Sequence, residues 1–330
     1  MAKRICGFLA FLVALTLCLA PMALAKSVSW PLAILWPPSN FSTQGVMQFA
    51  DLVAKRTGGQ LKIKVHAGGA LGFKGPEMLK VVRDGLSPVG EMLLGYVAGT
   101  EPLMDFSTMP FLVANEAQAG KLGQIARPAV EKVFDKWNQK MLYWQFWPGA
   151  GIYSKKPIKS MADLKGLKIR TFNAVSTAWV KAAGGNPVSL PWGDVYMAMS
   201  TGAIDALITS TTSGADGKFW EVMKYFTRLN LTFGYSAVTV NKGSFAGLSA
   251  KDQKVLLDTA KEMDQIQLKR SLASDKAASD KLTKNGITIL EMSPEFQKAC
   301  AALCAPIWAE WAKKAGPAAA DILAKAKALK

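Results

Sequence analysis

Arg170 is the residue whose type and position most clearly suggest chemistry. The segment LKGLKIR (residues 164–170) has the pattern of a short strand and places Arg170 in its carboxyl half. Ligands of open α/β sheets bind at the carboxyl ends of the strands, and a guanidinium can hold a carboxylate through two parallel hydrogen bonds. The segment therefore predicts an anion-binding arginine, with an ordinary surface salt bridge as the alternative.

Histidine chemistry is nearly absent from this chain. His66 is the only histidine, which excludes multi-histidine metal sites and any histidine-based triad that does not use this one residue. The zinc-protease, Walker and nucleophile-elbow motifs are missing as well. We therefore expect no metal, no cofactor and no enzyme activity. A secreted hydrolase that brings together acidic residues such as Asp194 and Asp205 stays open as an alternative.

The first 25 residues have the features of a cleavable signal peptide. A basic start at Lys3 and Arg4 precedes an apolar stretch over residues 8–19, and the small-x-small triplet of residues 23–25 follows. We predict cleavage after Ala25 and a periplasmic location, because the stretch is short for the alternative, a membrane anchor. Loss of the two basic residues lowers the formal charge from +16 to +14. The remaining basic surface suits anionic solutes, and export argues against nucleic acid.

Two cysteines, Cys300 and Cys304, remain after this cleavage. Their spacing on a predicted helix makes a disulfide between them geometrically awkward. We expect two packed thiols on one helix face, since buried free cysteine behaves as a small apolar residue.

Strands and helices alternate on both sides of Arg170. In the first series, strand patterns over residues 31–36, 61–65 and 89–94 alternate with helical patterns that end at Gly58 and at Asp84. A second series has strand patterns over residues 141–146, 167–172 and 203–209 and helical patterns over residues 175–183 and 193–200. This order predicts largely parallel sheets covered by helices. The helix–Gly–strand segments 78–93 and 195–209 resemble each other, as two lobes of similar construction would.

A long helix is predicted over residues 249–285. This segment contains neither Gly nor Pro and ends at Asn285-Gly286, a helix-stop pair. At 1.5 Å per residue such a helix extends roughly 52 Å, which exceeds the length of one lobe. We therefore predict a spine that crosses both lobes, and the irregular second half of the segment makes the alternative, a coiled coil, less favoured. The Ala- and Lys-rich tail after Gly316 predicts a solvated helix.

The segments around Arg170 resemble the TRAP-type solute-binding proteins of the DctP family. These segments are DLKGLKIR (163–170), GGNPVSLPWGDVY (184–196) and STGAID (200–205), and RTGGQLKIKV (56–65), GALG (69–72) and MPFL (109–112) precede them in the expected order. The resemblance implies an α/β fold with two periplasmic-binding-protein-like lobes and a central mixed or parallel sheet in each. It also implies a cleft that closes on a small organic acid and delivery of that acid to the membrane subunits of a TRAP permease.

A division of the chain follows from this resemblance. We predict that lobe I comprises residues 26–147 and 236–265 and that lobe II comprises residues 148–235 and 266–330, with the spine helix over residues 250–285 shared. A binding protein of this kind is expected to be a monomer or a weak dimer that binds no nucleic acid.

The resemblance assigns the carboxylate of the substrate to Arg170. Many relatives have a second arginine before the Lys-Lys-Pro turn and an asparagine after the strand that ends here at Thr209; this chain has Gly, Ile and Tyr in the first place and Thr209 and Ser210 in the second. These departures favour a monocarboxylate with an aromatic or apolar body, held between aromatic walls, over a sugar acid or a C4-dicarboxylate. The residues predicted to contact the ligand are Arg170, Trp36, Phe73, Trp147, Phe172, Asn173, Trp192, Thr209, Ser210 and Trp220.

Overall fold

The computed structural model describes residues 27–329 of the chain. The predicted signal peptide and its cleavage after Ala25 lie outside the described residues. The elements up to residue 146 are β1 (Val28–Ala33), α1 (Phe41–Arg56), β2 (Leu61–His66), α2 (Met78–Arg83), β3 (Val89–Leu93), α3 (Leu94–Val97), α4 (Glu116–Lys136) and β4 (Gln139–Phe146).

The chain then continues through a second series of elements. Up to residue 228 these are β5 (Gly151–Ser154), β6 (Lys168–Thr171), α5 (Ala174–Ala182), β7 (Asn186–Ser189), α6 (Val195–Ser200), β8 (Ala206–Thr209), α7 (Thr211–Asp216) and β9 (Tyr225–Arg228). The remaining elements are β10 (Tyr235–Asn241), α8 (Lys242–Ala246), α9 (Ala250–Lys284), β11 (Thr288–Glu291), α10 (Pro294–Ala302), α11 (Cys304–Ala315) and α12 (Pro317–Lys327). Within residues 27–329, none of the helices combines the length and the apolar composition that a bilayer span requires.

The strands form two mixed sheets. The first sheet has the order β2-β1-β3-β10-β4, in which β1 is parallel to β2 and β3 and β10 is antiparallel to both of its neighbours. The second sheet has the order β11-β9-β5-β8-β6-β7, in which β6 is parallel to β7 and β8 and β5 is antiparallel to both of its neighbours. The predicted α/β fold with a mixed sheet in each half is confirmed.

The two sheets repeat one topology. The series β2-β1-β3-β10-β4 matches β7-β6-β8-β5-β9 in order and in strand direction. Pairing of Ala33 with Gly90 in the first sheet corresponds to pairing of Arg170 with Leu207 in the second. The repeated helix–Gly–strand segments of the sequence are α2-β3 and α6-β8, which occupy equivalent places.

Local sequence explains where α1 begins and ends. The Asn40 side chain accepts a hydrogen bond from the Ser42 backbone N–H at 2.8 Å and caps the helix. Gly58 and Gly59, both with positive φ, follow the last turn and stop it. The apolar residues spaced three and four apart, Val46, Phe49, Ala50 and Val53, are all buried, as an amphipathic helix requires.

The long helix α9 links the two sheets, as predicted. It is 35 residues long and begins at the N-cap Ser249, whose hydroxyl accepts a hydrogen bond from the Asp252 backbone N–H. Its residues contact α1 and β4 of the first half and α7 and β11 of the second. The buried face includes Leu256, Met263 and Leu282. One helix therefore packs against elements of both the first and the second half of the molecule.

The C-terminal helices differ from the predicted solvated tail. Ala319, Ile322, Leu323 and Ala326 of α12 are buried, and α12 packs against α4. The prediction was wrong because these apolar residues recur every three or four positions and form a stripe that the high Lys content concealed. The lobe boundaries themselves stay a prediction.

Cys300 and Cys304 are buried and are not joined in a disulfide, as expected, but they lie on two successive helices and not on one helix face. They lie where α10 passes into α11. Burial raises the pKa of the Cys300 thiol to about 12, so this thiol stays protonated and unreactive at neutral pH.

Candidate functional site

Two adjoining cavities lie between the loops that follow the strands of the two sheets. The outer cavity has a volume of about 620 Å³ and is bordered by residues 68–76 on one side and 189–194 on the other. The inner cavity, of about 50 Å³, reaches Arg170. Tyr96, Phe172 and Trp192 border both cavities, so the outer cavity leads directly to the inner one.

Arg170 lies in β6 and is buried with 1% of its surface exposed. Its Nε and Nη2 donate to the Leu190 carbonyl at 3.1 and 3.0 Å, and Nη1 lies 3.4 Å from the Ile208 carbonyl. The guanidinium carbon lies 5.4 Å from the centre of the Phe172 ring. No carboxylate in the described part of the chain forms an ion pair with Arg170. Because a buried charge is costly without a counter-charge, this guanidinium is suited to bind an anion.

Hydroxyl groups line one side of the inner cavity, next to Arg170. Thr209 ends β8, and the Ser210 hydroxyl accepts a hydrogen bond from the Ser213 backbone N–H at 3.2 Å to begin α7. Ser213 and Thr232 also line the cavity and are buried. Hydroxyls both donate and accept hydrogen bonds, so this side of the cavity can bind neutral polar groups of either kind.

Aromatic rings form the opposite side of the inner cavity. The Trp36 ring lies 4.6 Å from the Trp147 ring in an edge-to-face arrangement and 5.9 Å from the Trp192 ring. Tyr96 stacks on Trp36 at 6.4 Å and meets Phe172 edge-on at 6.2 Å. Edge-to-face and stacked pairs at these distances are favourable. These five rings, which we call the aromatic wall, enclose an apolar space next to the guanidinium.

Two asparagines that begin equivalent helices reach from one half of the molecule to the other. Each caps its own helix, α1 for Asn40 and α5 for Asn173, with the side-chain oxygen. With its side-chain nitrogen, Asn40 donates to Asp216 at 2.6 Å and Asn173 donates to Asp105 at 2.9 Å. Burial raises the pKa of Asp105 to about 7 and also raises the pKa of Asp216. We call these two contacts the Asn–Asp links.

The structure brings most of the predicted ligand residues together. Phe73 lines the outer cavity, and the residues that line the inner cavity are Trp36, Trp147, Arg170, Phe172, Trp192, Thr209 and Ser210. Asn173 lies beside the cavity residue Thr108, to whose hydroxyl it donates at 2.6 Å, and lines neither cavity itself. Trp220 also lines neither cavity and packs at the edge of the second sheet's core, where Lys281 Nζ lies over its ring.

Several lining residues carried no signal that sequence reasoning used. Tyr96, Thr108, Ser213 and Thr232 were missed. Tyr96 lies on α3, a four-residue helix directly after β3, which is the first-sheet equivalent of the segment after β8 that contains Ser210. By the strand pairing, Tyr96 corresponds to Ser213, which was missed as well, so the internal repeat gave no signal for either residue.

The acidic residues considered for a hydrolase do not meet in one cavity. Asp194 borders the outer cavity. Asp205 instead accepts a hydrogen bond from the Lys168 backbone N–H at 2.9 Å in an exposed position. Among residues 27–329, no cluster of three potential metal ligands occurs.

Comparison with known proteins agrees with this geometry. The model of the DctP family, described as bacterial extracellular solute-binding protein, family 7, matches residues 32–314. DctP7 of Bordetella pertussis is an extracytoplasmic solute receptor that binds pyroglutamic acid. Its crystal structure superposes with a TM-score of 0.88 and 31% sequence identity, and the match covers 91% of this chain and 100% of DctP7. A marine metagenome TRAP protein specific for pyroglutamate is also 31% identical, with a TM-score of 0.86 over 92% and 99% of the two chains.

Another relative binds an acid other than pyroglutamate. The 2,3-diketo-L-gulonate-binding periplasmic protein of Escherichia coli K12 is 31% identical over 249 residues, which are 74% of this chain and 75% of the relative. Pyroglutamate, a diketogulonate and the uronates bound by more distant structural neighbours are all small acids. The cavity with its buried arginine, the repeated two-sheet fold and the match over residues 32–314 together show that this chain belongs to the DctP family of TRAP-type solute-binding proteins, whose members are two-lobed receptors for small acids and not enzymes.

Proposed function

We propose that this protein binds a small monocarboxylate with a compact ring, of the pyroglutamate type, with its carboxylate in the inner cavity at Arg170 and its ring where the inner cavity opens into the outer one. The observation that carries the proposal is Arg170, a buried guanidinium with no ion-pair partner in the described residues, facing a cavity with an aromatic wall. The carboxylate of the ligand binds to the guanidinium, and the ring packs against the aromatic wall.

The charge of the cavity favours one carboxylate over two. Of the described residues that line the inner cavity, Arg170 alone is charged. Gly151, Ile152 and Tyr153 lie where many relatives have a second arginine, and all three are buried. A second carboxylate would therefore lose its water without gaining a counter-charge, which is costly.

The other polar residues that line the inner cavity favour a ligand whose ring contains an amide group. Thr209, Ser210 and Thr232 offer hydroxyls that can accept from a ring N–H and donate to a ring carbonyl. The ring faces suit the indoles of Trp36 and Trp192, because aromatic side chains stack on flat groups. Two relatives bind pyroglutamate, and each is 31% identical in sequence to this chain over nearly the whole fold. Their ligand supports pyroglutamate, or a similar cyclic acid, as the ligand of this protein.

Closure of the two lobes on the ligand would present it to a TRAP permease. Members of the family bind small acids outside the cytoplasm and work with membrane permease subunits. We propose the same partner and the periplasm for this protein, with the signal peptide cleaved after Ala25. N-terminal sequencing of exported protein should begin at Lys26, and retention of residues 1–25 would contradict the proposed cleavage.

Native mass spectrometry of freshly purified protein tests the proposed ligand. We expect a species heavier than the polypeptide by one small acid, and denaturation should release a cyclic monocarboxylate. The same spectrum tests whether the protein is a monomer or a weak dimer. If the protein arrives empty, a thermal-shift screen should rank pyroglutamate above 2,3-diketogulonate and succinate. Release of a dicarboxylate or sugar acid, or preference for either in the screen, would contradict the proposal.

A further inference from the structure

Glu91 lies behind the aromatic wall in β3 and has no exposed surface. No cationic side chain in the described residues pairs with it. Burial raises the pKa of this carboxyl to about 7. A buried ionisable group without a counter-charge destabilises the fold, so its presence directly behind a ligand cavity calls for a role that an apolar side chain would not fill.

The carboxylate contacts Trp36 directly and is linked to Trp147 through the Ser236 hydroxyl. Trp36 Nε1 lies 3.1 Å from each carboxylate oxygen. The Ser236 hydroxyl lies close enough to Glu91 to lower the pKa of this carboxyl, and it accepts a hydrogen bond from Trp147 Nε1 at 2.9 Å. The Ser42 hydroxyl lies 3.5 Å from Oε1. One carboxylate therefore orients one indole directly and the other through a hydroxyl.

We propose that Glu91 is a positioning residue for specificity, which fixes the indoles of Trp36 and Trp147 so that the aromatic wall fits a flat ring. This inference rests on the proposed function, because the ring of a bound monocarboxylate is what the wall would select. An ionised carboxylate has about four acceptor sites, so it can accept from both sides at once. An amide at the same place keeps one acceptor oxygen and turns a donor toward an indole N–H.

Few titratable groups face Glu91 from the elements around it. Trp36 after β1, Ser42 on α1 and Ser236 on β10 are neutral, and the Arg170 guanidinium lies on the opposite side of the cavity. Burial holds the pKa of Tyr143 on β4 well above its usual value, so this phenol stays neutral. A change in the tryptophan environment between pH 6 and 8 would therefore report Glu91.

The test compares two acids that differ in the ring. Pyroglutamate and N-acetylglycine both carry one carboxylate and one amide, but only pyroglutamate is cyclic. Calorimetry on Glu91→Gln should show a loss of about tenfold in affinity for pyroglutamate, as expected for one hydrogen bond to a charged group, and a much smaller loss for N-acetylglycine. Trp36→Phe, which keeps a ring but lacks the N–H, should give the same discrimination, and the two substitutions together should cost less than their sum.

A second readout needs no ligand. Tryptophan emission of the empty wild-type protein should change between pH 6 and 8, and Glu91→Gln should remove this change. Asp105→Asn is the matched control, because burial also raises the pKa of Asp105 to about 7 but this carboxyl contacts Asn173 and not the wall. The control should keep the change in emission.

The outcomes separate this inference from the proposed function. If the wild type binds neither acid while Glu91→Gln still removes the emission change, the proposed ligand is wrong and the positioning role stands. Equal losses for the two acids, or an emission change that survives in Glu91→Gln and disappears in Asp105→Asn, would overturn the role of Glu91. Should Glu91→Gln not fold, unaltered discrimination in Trp36→Phe would overturn it equally.

Discussion

The first sheet and five strands of the second have the same order and strand direction, yet the charged residues that they place at the cavity and behind it differ. Arg170 on β6 corresponds to Ala33 on β1 by the strand pairing. Glu91 on β3 corresponds in the same way to Ile208 on β8. The guanidinium therefore comes from the second sheet, and the carboxylate that orients the aromatic wall comes from the first. Each charged side chain therefore lies where the other sheet has an apolar residue.

What the halves share is equally informative. Asn40 and Asn173 cap equivalent helices and each donates to an aspartate of the other half. Such contacts exist only while the halves are close together. We therefore expect the shared Asn–Asp links to favour closure and the cavity residues that differ to determine ligand binding.

Removal of the guanidinium should give the largest effect. We expect Arg170→Met to lose about 3 kcal/mol or more of ligand binding, the range for truncation of one member of a buried charge pair. Arg170→Lys should lose about 1.5–3 kcal/mol, since an ammonium cannot form the two parallel bonds. Calorimetry measures both.

The stability of the empty protein provides the control for these variants. Because the buried guanidinium has no counter-charge in the described residues, Arg170→Met should not lower the melting temperature. If either variant kept the ligand affinity of the wild type, the second sheet would not bind the carboxylate through Arg170.

The buried carboxylate of the first sheet should make stability depend on pH. The pKa of Glu91 is raised to about 7, so between pH 4.5 and 7 the folded state holds a proton that the unfolded state releases. The free energy of unfolding should therefore fall as pH rises through this window, by at most about 3 kcal/mol from Glu91. Asp105 acts in the same direction.

Urea unfolding at pH 5 and pH 8 measures this dependence. Glu91→Gln should reduce the difference between the two values. Asp84→Asn should leave it unchanged, because the pKa of Asp84 is lowered by the hydrogen bond from Arg83 and this group is ionised throughout the range. Equal stability at pH 5 and pH 8 in the wild type would contradict the assignment.

Substitution of two half-buried tryptophans, Trp192 and Trp220, distinguishes a ligand-binding role of the aromatic wall from simple core packing. Trp192 borders both cavities and Trp220 borders neither. Trp192→Ala should cost about 2 kcal/mol in affinity for a cyclic acid, a typical value for an aromatic hot spot, whereas Trp220→Ala should leave affinity unchanged. Equal losses for cyclic and acyclic acids in Trp192→Ala would show that this indole only packs.

The Asn–Asp links should have the smallest effect. Asn40→Asp and Asn173→Asp keep the oxygen that caps the helix but replace the donor with a charge facing an aspartate. We expect a loss of about 1 kcal/mol in ligand affinity and a larger radius of gyration in small-angle scattering of the empty protein. Asn115→Asp is the matched control, because Asn115 caps α4 through its oxygen alone. The same loss in the control would refute a role in closure.

Sequence patterns predicted α1 and α9 closely and located β2, β3, β4, β6 and β8, because their apolar spacing and their caps are local properties. They placed β1 three residues too late and did not identify β5, β7, β9, β10 and β11. Arg170 could be predicted for the same reason, from its place on a strand and from the family motif around it. Tyr96 and Glu91 could not, since their roles depend on rings and hydroxyls from β1, α1 and β10 that meet only in the fold. The burial of α12 was missed because its partner, α4, lies far away in the sequence.

A crystal structure of the protein with bound pyroglutamate tests the central claim most directly. We predict that the carboxylate of the acid accepts two hydrogen bonds from the Arg170 guanidinium and that its ring packs against the aromatic wall at Trp192, where the inner cavity opens into the outer one. An acid bound only in the outer cavity, with Arg170 still hydrogen-bonded to the Leu190 and Ile208 carbonyls alone, would contradict the account.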